Sequence, residues 1–357
     1  MDKPTTHYGE KNMMKKMMMG LVAVGMAVMV SGCGAKKTTL NVYTWADYIK
    51  PELLARFEQE NNCQVIIDTF DSNEAMYAKL KAGASGYDVI MPSSYMVKTM
   101  HNQGMLQKID KSKIPNLVNV DTDYLKIAVD KDMEHSVPYM LTNTGIAYLG
   151  SKLGEVEPSW SLLDLEAIKG RATMLNDMRE TLGAALKFLG YSINSVDEKE
   201  LAEARDIVIR WKKNLAKFEN EQYKTGLASG EFFLVHGYNG DILQVMEENE
   251  DIVFVVPQEG TSISCDDFVI PKDAKQVDLA HAFINFFHDA EVAAENTDFV
   301  WYLCPNAAAY PLMSEDIRND PSIFLDPEVK ARSEVIDDIG AGLALYTKMW
   351  DEIKAAE

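Results

Sequence analysis

Predicted strands and helices alternate from residue 40 to about residue 104. Short apolar runs predict buried strands, and apolar side chains at helical spacing predict the helices between them. The strands are expected at residues 40–44, 63–70 and 87–91, with helices at 51–61, 72–83 and from Tyr95 onward. Pro51 suits a first helical position, and Ser72 suits a helix cap. This order predicts a parallel sheet with helices on both faces.

Polar and aromatic side chains follow the first and third of these strands. Trp45, Asp47 and Tyr48 come after the first strand, and Ser93 and Tyr95 come after the third. Ligands of open α/β sheets bind at the carboxyl ends of strands. Because ring faces attract cations and a carboxylate neutralises them, this set indicates an ammonium-binding site. A core Trp beside an exposed Asp that caps the next helix explains the first group equally well.

The rest of the chain predicts a second set of strands and helices. We expect residues 137–144 to be irregular and to cross into it, and residues 261–267 to be irregular, with a return crossing near Asp266. Strands are expected at residues 146–149, 172–175, 232–235, 252–256 and 268–270, and helices at 160–168 and 197–215.

Asp177 and Glu180 stand three residues apart at the start of an apolar helix. A helix that begins at Asp177 places both carboxylates on one face near its N-terminus. Such a pair could bind a cation. Acidic residues at a helix N-terminus more often stabilise the helix dipole, and that role is the preferred interpretation for the pair taken alone.

Length and charge limit the classes of function. A chain of 357 residues can form two domains with separate cores. A formal net charge of -20 disfavours nucleic-acid and phosphate ligands and is compatible with a cationic one, although acidity also serves solubility. The sequence contains no phosphate-binding glycine loop, hydrolase nucleophile elbow or zinc-protease motif. An enzyme, such as a carboxylate-based hydrolase, is therefore the less favoured hypothesis.

The N-terminus has the pattern of a targeting segment. Lys15 and Lys16 precede an apolar run at residues 17–30, which is short for a membrane span. The VSGC sequence at residues 30–33 resembles a bacterial lipoprotein signal, with cleavage before Cys33 and lipid on its thiol. A plain secretory signal or a membrane anchor is the alternative.

Three further cysteines have no zinc-site spacing. Cys63 lies in an apolar strand and is expected in the core. Cys265 and Cys304 could form a disulfide in an oxidising compartment, although the sequence gives no distance between them.

Five segments together resemble one known family, the substrate-binding components of spermidine/putrescine ABC transporters. They are YTWADY at 43–48, SNEAMYAKLK at 72–81, MPSSY at 91–95, QKIDKSK at 107–113 and PN at 305–306. The resemblance runs from about residue 40 to the C-terminus. It implies an α/β, two-lobe periplasmic-binding-protein-like fold (type II). Each lobe would have a mixed, mostly parallel sheet flanked by helices, with the ligand in the cleft between lobes.

The resemblance also implies which residues bind the ligand, since the family uses carboxylates for amines and aromatic rings around the methylene chain. The implied ligand-binding residues are Trp45, Asp47, Tyr48, Ser93, Tyr95, Asp177, Glu180, Tyr238, Asp266 and Tyr302. Three positions depart from the family pattern. Tyr238 and Ser264 stand where tryptophan is often found, and Ile336 stands where a polar amide commonly contacts ligand. The choice between spermidine and putrescine therefore stays open.

The expected organisation follows from these observations. Residues 1–32 form the signal peptide, 33–39 a tether, 40–141 with 268–310 the first lobe, and 142–267 with 311–357 the second. The resemblance implies a non-enzymatic, monomeric, lipid-anchored extracytoplasmic protein that captures a polyamine without cofactor or metal. Its partners would be the permease and ATPase subunits of an importer. A different amine or amino-acid-like ligand, or a ligand-sensing surface receptor, is the alternative.

Overall fold

The structure, a computed structural model, describes residues 37–356. The strands in this part of the chain are β1 (Thr38–Thr44), β2 (Cys63–Thr69), β3 (Val89–Ile90), β4 (Ser136–Leu149), β5 (Ala172–Met174), β6 (Leu215–Phe218), β7 (Leu234–Tyr238), β8 (Ile252–Val255), β9 (Ser262–Val269) and β10 (Glu334–Val335). The α-helices are α1 (Pro51–Glu60), α2 (Asn73–Lys81), α3 (Ser94–Asn102), α4 (Thr122–Leu125), α5 (Gly150–Leu153), α6 (Met178–Phe188), α7 (Glu198–Lys212), α8 (Gln222–Ala228), α9 (Asn239–Met246), α10 (Val277–Phe287), α11 (Ala290–Val300), α12 (Glu315–Asn319), α13 (Pro327–Arg332) and α14 (Leu343–Ala355).

The strand–helix order predicted for the first hundred residues is confirmed. β1 lies between β2 and β3 and is parallel to both. Helix α1 begins at Pro51, as its fixed backbone angle favours. The Ser72 side chain caps α2 by accepting a hydrogen bond from the backbone N–H of Ala75. The carboxyl ends of β1 and β3 therefore open at the same edge of the sheet.

Two long strands connect the halves of the sheet. The strand order is β2-β1-β3-β9-β4-β7-β5-β6, with β10 beside β9 and β8 beside β4. The first half of β4 pairs antiparallel with β9, and its second half pairs antiparallel with β7 and β8. β5 is parallel to β6 and β7. The sheet is thus parallel on its two flanks and antiparallel at the connection, which confirms the mixed α/β class.

The apolar side chains form two main cores on either side of this connection. The first contains residues from β1, α1, α10 and α11, with Phe268 and Phe283 fully buried. The second contains residues from β5, α6, α7 and α14, with Trp160 and Trp211 fully buried. The expected lobe boundary after residue 310 differs from this packing. Met313, Ile317 and Ile323 pack in the first core, because their apolar side chains bury there rather than with α14.

Two segments predicted to be irregular are strands, and those predictions are wrong. Residues 137–144 lie within β4, and residues 262–267 lie within β9. Proline and polar side chains made both segments resemble loops, but each pairs with the other along most of its length. A register shift between Pro138 and Met140 accommodates the proline, which cannot donate to the ladder.

Smaller differences concern element type and ends. Residues 160–168 form two 3₁₀ segments, Trp160–Asp164 and Glu166–Ile168, rather than one helix. The long predicted helix ends as α7 at Lys212, and β6 follows it. β1 begins at Thr38, so the last part of the predicted tether belongs to the sheet. The signal peptide, residues 33–36 and the lipidation site Cys33 lie outside the described residues.

Cys63 is buried in the first core, as predicted. Cys265 and Cys304 are buried free thiols, so the hypothesised disulfide between them is not formed. The Cys265 thiol instead lies 3.4 Å from Asp267 Oδ1. Between residues 37 and 356, the structure contains no helix with the length and apolar character needed to cross a membrane.

Candidate functional site

A cavity of about 330 Å³ lies where the first strands, the connecting strands and the start of α6 meet. Side chains from both sides of the β4–β9 connection line it. All ten residues that the sequence predicted for ligand binding are among them: Trp45, Asp47, Tyr48, Ser93, Tyr95, Asp177, Glu180, Tyr238, Asp266 and Tyr302. Ser264 and Ile336 line it as well. The structure therefore brings the whole predicted set together.

The first wall follows β1. The Trp45 ring packs against Phe70, with 4.3 Å between ring centroids. Asp47 has a φ of 53°, a left-handed conformation that Asp adopts more readily than most residues. This turn leaves the Asp47 side chain at the mouth of the cavity, where it is largely exposed, while Tyr48 next to it is buried.

Asp266 projects from β9 into the buried part of the cavity. Its two carboxylate oxygens accept hydrogen bonds from the hydroxyl groups of Tyr48 and Ser93, each at 2.6 Å. Asn73 holds Ser93 through both its side-chain amide and its side-chain oxygen. Burial raises the pKa of Asp266 to about 6, although the two hydroxyl donors oppose that shift. The site thus contains a buried carboxylate whose charged form an added cation would stabilise.

The start of α6 supplies a second acidic group. Asp177 is the N-cap and accepts hydrogen bonds from the backbone N–H groups of Arg179 and Glu180. Asp177 thus precedes the helix rather than beginning it, and the same residue also lines the cavity. Glu180 is 4 % exposed and accepts hydrogen bonds from the hydroxyl groups of Thr144 and Ser262. Burial, and then the charge of Asp177, raise the pKa of Glu180 to about 8.

The aromatic side chains surround these carboxylates. Tyr302 meets Tyr48 edge to face, with 5.3 Å between ring centroids. The Tyr302 ring also covers Gly240 at the start of α9, where a Cβ atom would lie 2.6 Å from the ring. Only glycine allows this approach, because real Cβ atoms do not come so close to other heavy atoms. Tyr95 donates a hydrogen bond to Glu74, and Tyr238 adds a further ring to the lining.

Two cationic residues of the cavity were missed by the sequence analysis. Arg179 is 2 % exposed, but its guanidinium donates to neutral acceptors, the Asp337 carbonyl and Asn194. Lys224 reaches Asp47 and Asp241. Arg179 stands between the two acids singled out at the start of α6, which was an available signal. No sequence signal pointed to Lys224, because the helix that carries it, α8, was not predicted.

Comparison with known proteins assigns the chain that forms this cavity to a family. Residues 52–324 match the sequence profile of the bacterial extracellular solute-binding proteins. The chain belongs to this family. It is 36 % identical to a putrescine/cadaverine-binding protein of Pseudomonas aeruginosa over 356 residues, which cover 96 % of this chain and 99 % of the relative. It is 35 % identical to the spermidine/putrescine-binding periplasmic protein of Escherichia coli over 349 residues, covering 96 % and 99 % of the two chains.

Solved structures agree with this membership in the extracellular solute-binding proteins. The TpPotD lipoprotein of Treponema pallidum superposes with a TM-score of 0.80 at 36 % identity, covering 88 % of this chain and 99 % of the other. The spermidine/putrescine ABC transporter substrate-binding protein PotD of Streptococcus pneumoniae gives a TM-score of 0.77 at 34 % identity, covering 89 % and 98 %. The relatives are transport proteins, and this solute-binding protein is accordingly one of a family of binders rather than enzymes.

Proposed function

We propose that the protein captures a polyamine in this cavity and delivers it to the permease and ATPase subunits of an ABC importer. One observation carries the proposal. Asp177, Glu180 and Asp266 line the cavity, and no Lys or Arg nitrogen of residues 37–356 lies within 4.0 Å of their carboxylate oxygens. The relatives described above, a putrescine/cadaverine-binding protein and a spermidine/putrescine-binding protein, support the same ligand class.

The physical reason is the energy of buried charge. A carboxylate removed from water needs a cation or strong donors to stay ionised, and the raised pKa values of Glu180 and Asp266 indicate that hydroxyl donors alone are insufficient. Ligand ammonium groups supply that charge. Tyrosine and tryptophan rings cover the alkyl chain between the ammonium groups and attract them through their faces.

Lobe closure around the ligand is part of the proposal. The two cores are joined by β4 and β9, whose pairing crosses the floor of the cavity. We assign residues 40–141 with 268–325 to one lobe and 142–267 with 326–357 to the other, following the packing of the two cores. Hinge motion through the connecting strands would close the two lobes on an ammonium group bound at Asp266.

We further propose that lipid on the Cys33 thiol anchors a monomeric protein to the outer face of the cell membrane. The VSGC sequence after an apolar leader supports this anchor. Radiolabelled palmitate fed to cells should label the wild-type protein and not the Cys33→Ala variant. Label retained in the variant would contradict the anchor and leave the ligand proposal untouched.

Equilibrium dialysis with radiolabelled putrescine tests the ligand proposal. The Glu180→Gln variant removes one buried carboxylate with little change in shape, and Glu250→Gln makes the same change at an exposed position. The wild type and the Glu250→Gln control should bind one putrescine per chain, and Glu180→Gln should bind at least tenfold more weakly, because an ammonium loses its charged partner. Equal binding by all three proteins would contradict the carboxylate site.

A further inference from the structure

Lys224 places an ammonium group of the protein itself inside the cleft. The residue lies on α8, and its side chain is 16 % exposed. Its Nζ lies 3.2 Å from Asp47 Oδ2 and 3.7 Å from Asp241 Oδ1. Asp47 follows β1, whereas Lys224 and Asp241 lie on α8 and α9, so the Lys224–Asp47 contact joins the two lobes proposed above.

Neighbouring residues hold Asp241, one of the two acidic partners of Lys224. Tyr223, adjacent to it on α8, donates a hydrogen bond to Asp241 Oδ2 at 2.5 Å. The backbone N–H of Asp241 donates to the Tyr302 hydroxyl at 3.2 Å. Tyr223 therefore holds the Asp241 side chain and Tyr302 holds its backbone, so the ammonium group of Lys224 meets a carboxylate that is already positioned.

The carboxylates of the cavity thus form two groups. Asp47 and Asp241 already share one cation, the Lys224 ammonium. Within residues 37–356, Asp177, Glu180 and Asp266 have no such ionic contact. The Tyr48–Tyr302 ring pair lies between them, since Tyr48 bonds Asp266 and Tyr302 bonds the backbone of Asp241.

We infer that Lys224 is a specificity-determining residue that occupies the place of a third ligand ammonium and so favours diamines over triamines. The inference rests on the proposed function and extends it. A diamine can place its two ammonium groups on the unpaired carboxylates at Glu180 and Asp266. The additional ammonium of a triamine that continues past Asp266 meets Lys224, and two like charges in a partly buried site repel each other.

Competitive calorimetry with putrescine and spermidine tests this inference. The dissociation constants of both ligands are measured for the wild type, Lys224→Met and a control, Lys98→Met. Lys98 also forms an ion pair, with Asp337 at 3.5 Å, but does not line the cavity. The wild type and the control should prefer putrescine. Lys224→Met should shift the affinity ratio toward spermidine by about tenfold or more, because Asp47 and Asp241 become free to bind the third ammonium.

Three outcomes would overturn the inference and they are distinguishable. A wild type that prefers spermidine, or a Lys224→Met ratio equal to that of the control, would refute it while leaving polyamine capture intact. Tighter binding of 4-aminobutyrate than of putrescine would mean that Lys224 receives a ligand carboxylate. No binding of either amine to the wild type would refute the proposed function itself. If Lys224→Met does not fold, as judged by thermal unfolding, Lys224→Gln makes the same comparison.

Discussion

Replacing Asp266 by asparagine should weaken ligand binding and, at the same time, stabilise the ligand-free protein. The Asp266 carboxylate is 6 % exposed and has two hydroxyl donors but no ionic partner among residues 37–356. Its pKa of about 6 exceeds the ordinary value for aspartate by about two units. Keeping the group ionised at pH 8 therefore costs the folded, ligand-free protein about 3 kcal/mol.

The amide removes most of this cost. The amide oxygen can accept a hydrogen bond from one of the two hydroxyl groups, Tyr48 or Ser93. The other hydroxyl group can rotate and accept a hydrogen bond from the amide nitrogen. Weaker hydrogen bonds to a neutral group offset part of the gain, which leaves a net stabilisation of about 1–2 kcal/mol at pH 8. A bound ammonium, in contrast, loses its buried partner, and that loss costs about 3–5 kcal/mol, or more than a hundredfold in Kd.

Two assays on ligand-stripped protein at pH 8 measure these opposite effects. Urea unfolding gives the free energy of unfolding, and calorimetry with putrescine gives Kd. Asp351→Asn is the control, because Asp351 is an exposed residue of α14 that lies outside the cavity. If the Asp266→Asn variant binds putrescine as tightly as the wild type, Asp266 has no role in ligand binding. Joint loss of binding and stability would instead make Asp266 a structural residue whose charge is needed for folding.

Three further predictions concern protonation. Ammonium binding should lower the pKa values of Glu180 and Asp266 from about 8 and about 6, so binding should release protons and the affinity for putrescine should rise from pH 6 to pH 8. Calorimetry in two buffers of different ionisation enthalpy measures the proton release and the affinity. An affinity that stays constant or falls over this pH range would contradict the prediction. Burial also raises the pKa of Asp267 to about 7, so this group of the ligand-free folded protein holds a proton that it loses in the unfolded chain. The free energy of unfolding should therefore fall as the pH rises from about 5 to about 8, and it should fall less with putrescine bound. A thermal midpoint that does not change with pH would refute this prediction. Burial lowers the pKa of His236 to about 3, and neither ring nitrogen has a hydrogen-bond partner within residues 37–356. The His236→Phe substitution should therefore stabilise the protein by about 1–2 kcal/mol, as measured by thermal unfolding at pH 7. A loss of stability would show that the imidazole makes a needed contact.

Sequence reasoning succeeded where the signal was local. The first strands, the Pro51 start of α1 and the Ser72 cap follow from short-range patterns, and the structure contains all three. The strand-end rule placed Trp45 and Tyr95 at the cavity, and family resemblance added the acids of α6 and β9. The departures at Ser264 and Ile336 also lie in the lining, so they bear on the ligand.

Sequence reasoning failed where distant pairing decides the outcome. Residues 137–144 and 262–267 contain proline and many polar residues, and their pairing with each other makes most of them strand residues. Lys224 enters the cavity because α8 packs against β7 and α9, a contact that no local pattern encodes. The ionic contact of Lys224 with Asp47 joins residues 177 positions apart, so it was beyond reach of the sequence.

The most direct test of polyamine capture is a calorimetric titration of the wild-type protein at pH 8 after unfolding and refolding to remove carried-over ligand. The titrants are putrescine, cadaverine, spermidine and spermine, with glutamate as an anionic solute for comparison. We expect saturable one-to-one binding of an amine with micromolar or tighter affinity, strongest for a diamine, and no heat from glutamate. No binding of any of the four amines, or tighter binding of glutamate than of the amines, would contradict polyamine capture.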